Sequence, residues 1–359
     1  MTDAPSPAEA LARYANAPDP GPLLALNFGF ARARALGTAV ELGVFTALAR
    51  TPRTARELAV DLGCDPRGVR DLLAVLEEFG LLAADGHGRP EPAASEPSTA
   101  DGEPRLGLTG LARAYLVDGR PGSLAGHFAD VLAQWDRWAT LTSVVRTGER
   151  SGDLGAPVAR GRHPGLFGGA FPLAVRVAFD AVRELRPVPA GRVLDLACGA
   201  GEWGIALAAA DPGARVTAHD DPALLAEARA RAEEFGVAER FRFVPADFDA
   251  PPFPDAGFDT VVLAHAGRFA GPTDTARLLR EAARVLRPGG TLLVADVMRP
   301  QPDGPALSRP MLALSLLVNT ADGTVLAAEE YRALMEEAGV TAKECVTRGL
   351  VTAQTGERR

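Results

Sequence analysis

Residues 193–203 read VLDLACGAGEW. An apolar run ends in an acid, Asp195, and a Gly-x-Gly turn at Gly199 and Gly201 leads into a helical stretch. Glycines there let the backbone turn tightly and approach a ligand closely. The third, helix-packing glycine of the dinucleotide fingerprint is absent. Two more elements stand at matching distances. ARVTAHDD puts Asp220 at the end of the next strand, where a carboxylate can accept from both hydroxyls of a ribose. FVPADF puts Asp247 and Phe248 at the end of the third, suited to the amino group and ring face of an adenine.

A second cluster starts in VVLAHAGRF, residues 261–269, where an apolar run ends in His265 with Arg268 three residues on. LLVADV ends in another acid, Asp296. A histidine can accept a proton near neutral pH. An arginine cannot, because its guanidinium stays protonated, but it can stabilise an oxyanion. A histidine ending a buried strand is as often simply tied to backbone. The spacing leaves open whether His265 touches a substrate, replaces a base or does neither.

The elements that must carry these residues fall into three regions. Residues 1–118 read as helices at apolar 3.6 spacing, with an N-cap at Asp65 and short strands framing HGRPEPAASEPSTADGEP. That arrangement is a winged helix. Residues 119–188 read as helices and form a pocket region. They carry His127, Trp135, Trp138, Phe167 and Phe171, each assignable to a pocket wall or to plain core. From 189 to 359, near-continuous apolar strands alternate with helices, which predicts an α/β, doubly wound parallel sheet.

Composition narrows the partners. The chain has 359 residues, 47% hydrophobic, with a formal net charge of −8. An acidic chain is a poor candidate for nucleic acid or an anionic membrane. The start, MTDAPSPAEA, lacks a signal-peptide layout, and no apolar run reaches membrane-spanning length. Three scattered cysteines give neither a disulfide framework nor metal-ligand spacing. A cytoplasmic protein without a metal is expected.

The three strand-end elements together resemble the class I S-adenosylmethionine-dependent methyltransferases, whose domain is Rossmann-like. With the winged-helix N-terminus, nearly the whole chain is similar to the small-molecule O-methyltransferases, which include acetylserotonin, plant phenolic and bacterial natural-product enzymes. The resemblance implies a homodimer built by the N-terminal domain. It implies S-adenosylmethionine as cofactor and S-adenosylhomocysteine as product. It assigns Asp195, Gly199, Gly201, Asp220, Asp247 and Phe248 to the cofactor, and His265, Arg268 and Asp296 to the reacting group.

Two departures from the family pattern stand out. The family's catalytic histidine falls on Arg268, and the glutamate that orients it falls on Val325. Asp296 stands where the family commonly has glutamate. The resemblance therefore implies methyl transfer to a small aromatic or polyketide-like metabolite, with oxygen, carbon or nitrogen as acceptor. The alternatives are a same-fold enzyme that keeps the cofactor but performs hydroxylation, decarboxylation or cyclisation, and, more remotely, a winged-helix regulator. In the regulator reading, helix DPRGVRDLLAVLEEFG offers Arg67 and Arg70 to phosphates beside Asp71, Glu77 and Glu78.

Overall fold

The computed structural model describes residues 18–84, 103–150, 152–154, 162–185, 191–245, 251–299 and 309–359. They form two compact units, 1–113 and 114–359.

The first unit comprises α1 (Gly21–Glu41), α2 (Val44–Leu48), α3 (Ala55–Leu62), α4 (Pro66–Glu78), β1 (Leu82–Ala84) and β2 (Leu106–Leu108), and the boundary falls within α5 (Gly110–Tyr115). The local starts follow capping chemistry. Thr54 and Glu57 form a reciprocal capping box on α3, and the Asp65 carboxylate accepts from the Gly68 amide on α4. Phe45, Leu48, Leu58, Leu73, Leu76, Leu82 and Leu108 make its core. β1 and β2 pair antiparallel, as a wing requires, and most of the connecting segment lies outside the described residues. α1 instead leaves Leu23, Leu24, Leu26, Phe28 and Phe30 more than half exposed.

The second unit begins with α6 (Ala125–Leu132), α7 (Trp135–Ala139), α8 (Leu141–Thr147), α9 (Pro164–Phe167) and α10 (Phe171–Glu184). Then come β3 (Arg192–Leu196), α11 (Glu202–Ala210), β4 (Arg215–Asp220), α12 (Pro222–Glu234), β5 (Phe241–Pro245), β6 (Phe258–Ala264), α13 (Gly267–Val285) and β7 (Leu286–Asp296). It closes with α14 (Arg309–Asn319), α15 (Ala328–Glu337), β8 (Val340–Arg348) and β9 (Val351–Arg358). The sheet order is β5-β4-β3-β6-β7-β9-β8, parallel from β5 to β7. β9 enters antiparallel between β7 and β8, so the sheet is mixed where a parallel one was expected. The short connection at 349–350 causes this, since a hairpin return reverses the strand.

The strands are apolar on both faces because both are covered. Val193, Val262 and Leu293 pack with α10 and α11, while Leu194, Val261, Leu263, Leu292 and Val294 pack with α13 and α15. The expectation that no apolar run reaches membrane-spanning length does not hold. Pro164–Glu184 is long and apolar enough, by length and composition, to cross a membrane. The segment is broken between α9 and α10, and Phe171, Ala178, Ala181 and Val182 are buried against the sheet domain. A helix stripe that covers a sheet is apolar for that reason.

Candidate functional site

Parallel strands β3, β4, β6 and β7 end on one edge, and the order reverses between β3 and β6, the usual place for a ligand crevice. That edge carries two residues in left-handed backbone that are not glycine: Ala197 (φ 59°) after β3 and His265 (φ 57°) after β6. Such conformations cost of order 1–3 kcal/mol each and gather at functional sites. The His265 amide is held by the Ala295 carbonyl at 2.7 Å.

The loop after β3 leaves little room for side chains. Gly199 and Gly201 both lie at positive φ, and a Cβ on Gly199 would stand 3.0 Å from the Phe167 carbonyl oxygen. The Gly199 amide donates to Asp220 Oδ2 at 2.8 Å, tying the loop to the tip of β4. Asp195 lies deeper. Its Oδ2 accepts from the Gly204 amide at 2.9 Å, and burial, reinforced by the Asp220 charge against the pull of that amide, pushes it up to about 7. It braces the start of α11 and does not line the cavity described below. Asp247 and Phe248 lie outside the described residues.

His265, Arg268 and Asp296 come together. Arg268 Nη1 donates to Asp296 Oδ1 at 2.6 Å and to His265 Nδ1 at 2.8 Å, and the Arg268 amide reaches Asp296 Oδ2 at 3.0 Å. Asp296, 1% exposed, also accepts from the Val297 amide and from the Tyr331 hydroxyl, each at 2.8 Å. Burial alone would raise its carboxyl, but the Arg268 charge, the neighbouring His265 and the Arg268 hydrogen bond hold it well below the carboxylate range. Burial lowers the proton affinity of His265; Asp296 raises it and Arg268 lowers it further. Burial and the Asp296 charge push the Tyr331 phenol well up.

A cavity of about 480 Å³ joins the glycine loop to this cluster. Ala197, Cys198, Gly199, Glu202 and Trp203 form one end, and His265, Arg268 and Phe269 another. Phe167, Leu173, Val177 and Leu350 supply apolar wall.

Of the five expected pocket residues, Phe167 lines the cavity and packs on Phe269 with ring centroids 5.0 Å apart. Phe171 is core, set against Phe235 and beneath Arg231. Trp135 and Trp138 share the short helix α7 with neither buried, and neither they nor His127 line the cavity. Val325 is buried with Val297 and Leu316. Sequence reasoning missed Glu202, Trp203 and Tyr331. Glu202 follows the glycine turn directly, a visible signal, and its Oε2 folds back over Gly199. Tyr331 gave none, since only the fold brings α15 to the end of β7.

Residues 193–290 match the model of a methyltransferase domain, and residues 24–118 that of an O-methyltransferase dimerisation domain. The tetracenomycin polyketide synthesis 8-O-methyltransferase TcmO of Streptomyces glaucescens is 30% identical, over 90% of this chain and 91% of that protein. Mouse acetylserotonin O-methyltransferase is 32% identical, over 88% of this chain and 82% of that one. The crystal structure of human N-acetylserotonin methyltransferase with S-adenosylmethionine has the same fold. It superposes with a TM-score of 0.75 at 21% identity, covering 100% of this chain and 99% of that chain.

Proposed function

The chain belongs to the S-adenosylmethionine-dependent O-methyltransferases, and from that membership we propose that it methylates a hydroxyl oxygen of a small aromatic or polyketide-like metabolite. One observation carries the reading. A single, largely apolar cavity runs from the glycine loop to the His265–Arg268 cluster, so a cofactor and a flat acceptor would share it.

The residues present fit S-adenosylmethionine. Gly199 lines the cavity, and a side chain there would press on the Phe167 carbonyl oxygen at the cavity wall. Asp220, at the tip of β4, is buried and holds the loop through the Gly199 amide, while the Glu202 carboxylate over Gly199 lines the cavity and would meet a cationic amino group. When bound, the cofactor supplies a methyl already activated by the positive sulfonium. The protein's own part is then alignment. Phe167, Leu173, Val177 and Phe269 would hold an aromatic face and exclude water, and His265 and Arg268 would meet the acceptor oxygen. Proximity of this kind accounts for roughly 7–11 kcal/mol in well-oriented reactions. TcmO, by its name, methylates oxygen in polyketide synthesis, which supports the acceptor class.

The dimerisation domain carries the assembly reading. The five apolar side chains exposed on α1 form the seam of a homodimer, since a monomer would leave them in water.

The test is incubation with methyl-¹³C S-adenosylmethionine and a set of hydroxylated polycyclic aromatics, with the labelled atom located by NMR. A ¹³C methyl on oxygen is the expected result. Label on carbon or nitrogen would overturn the acceptor assignment.

A further inference from the structure

We propose that His265 meets the acceptor as a hydrogen-bond donor, with Arg268 holding its tautomer, and that the acceptor is an acidic hydroxyl which binds already ionised. A phenol or enol conjugated to a carbonyl has that chemistry. The proposal rests on the methyl-transfer reading and adds the role of the histidine and the class of hydroxyl.

Arg268 Nη1 lies 2.8 Å from His265 Nδ1 and 2.6 Å from Asp296 Oδ1. A guanidinium only donates. His265 Nδ1 must therefore accept, and the single proton of the neutral ring sits on Nε2. The usual carboxylate–histidine pair works the other way. There the carboxylate takes the Nδ1 proton's hydrogen bond and leaves Nε2 bare to act as base. Here Asp296 Oδ1 is 3.9 Å from His265 Nδ1, beyond hydrogen-bond range, and Arg268 holds both partners.

The surroundings keep the ring neutral. Arg268 faces it from α13 with a full positive charge, and the Asp296 charge on β7 is shared among Arg268, Tyr331 of α15 and two amides. Glu202 of α11 lines the same cavity, with its carboxylate over Gly199. His265 itself lines the cavity with 23% of its side chain exposed, so part of the imidazole is open to a ligand. An N–H there would donate to an oxyanion and offset part of the anion's desolvation.

The step then balances without an enzyme base. The hydroxyl proton leaves to water before binding. An oxygen lone pair would form the new O–C bond as the C–S bond breaks, and the C–S bonding pair would stay on sulfur, which becomes neutral.

The tautomer is read directly on the ¹⁵N-labelled full-length protein by long-range ¹H–¹⁵N correlation, with His265→Asn identifying the signals. The expected spectrum has Nε2 protonated and Nδ1 bare at neutral pH. A protonated Nδ1 with a bare Nε2, or an imidazolium, would overturn the proposal. Arg268→Gln should move the ring toward the Nδ1–H form; an unchanged tautomer would remove Arg268 from its positioning role.

Turnover supplies an independent arm. Across acceptors of graded acidity at one pH, the rate should fall with each unit of acceptor pKa above that pH, by at most about tenfold, because the ionised fraction drops tenfold while the more basic oxyanion is the better nucleophile. His265→Gln, which keeps an N–H donor and cannot serve as base, should retain far more activity than His265→Ala, for which a loss of about 10²-fold is expected. Equal rates on weak and strong acids, or equal loss in both variants, would count against a donor. No methylated product from any acceptor, alongside Nε2–H, would strike the methyl-transfer reading and leave the donor assignment standing.

Discussion

The Tyr331 hydroxyl donates to Asp296 Oδ2 at 2.8 Å, and through that bond the last helix of the sheet domain reaches the end of β7. Gly267 makes the approach possible, because a Cβ there would collide with the hydroxyl. Val325, which falls on the family's glutamate, is buried among apolar side chains and offers no charge. A neutral phenol thus serves the carboxylate from that side, and Arg268 is left as the charged partner of Asp296.

Removing that phenol tests how far Asp296 depends on it. Tyr331→Phe deletes a buried hydrogen bond to a charged acceptor and should lower stability by about 2 kcal/mol. Thermal unfolding would register this as a Tm several degrees lower. The His265 tautomer should be unchanged, since Arg268 keeps its bonds to both neighbours.

Asp195 predicts a dependence of stability on pH. Its folded pKa of about 7 lies above the ordinary 3.8, so between those values the folded state holds a proton that the unfolded state has lost. Stability contributed by this group therefore falls as pH rises from about 4 to about 7, and then levels off. Asp195→Asn can still accept from the Gly204 amide and has no charge to bury. Denaturant titrations from acid to neutral pH should show the variant gaining on the native protein as pH rises.

The glycine loop predicts a binding defect. Gly199→Ala places a side chain at φ +58° and 3.0 Å from the Phe167 carbonyl oxygen. The fold should survive by circular dichroism, while calorimetry with S-adenosylhomocysteine should show affinity reduced by at least about tenfold, near 1.4 kcal/mol.

Most of the architecture was legible in the sequence because it rests on local chemistry. The Asp65 cap, the strand–helix alternation and the glycine turn each depend on a few adjacent residues. The antiparallel β9 was not legible, since β8 and β9 read as strands whichever way they pair. Within the site, His265, Arg268 and Asp296 could be placed at strand ends by their order in the chain. Their joining through one guanidinium nitrogen could not, because it depends on side-chain directions set by the fold. The tryptophans of α7 show the opposite error: aromatic content suggested a cavity wall, and only Phe167 of the named candidates became one.

The α1 face predicts an assembly. Leu24 and Phe28 are four residues apart on that helix and 56% and 60% exposed. Leu24→Glu with Phe28→Glu should shift sedimentation from dimer to monomer, with the sheet domain's unfolding transition retained.

The most direct measurement of methyl transfer is stoichiometric. Purified protein, S-adenosylmethionine and an acidic polycyclic phenol are sampled over time, with S-adenosylhomocysteine and product counted by mass spectrometry. The account predicts one S-adenosylhomocysteine per product molecule, each product heavier by one methylene. Product accumulating while S-adenosylmethionine stays intact would contradict it and make the cofactor site a scaffold for another reaction.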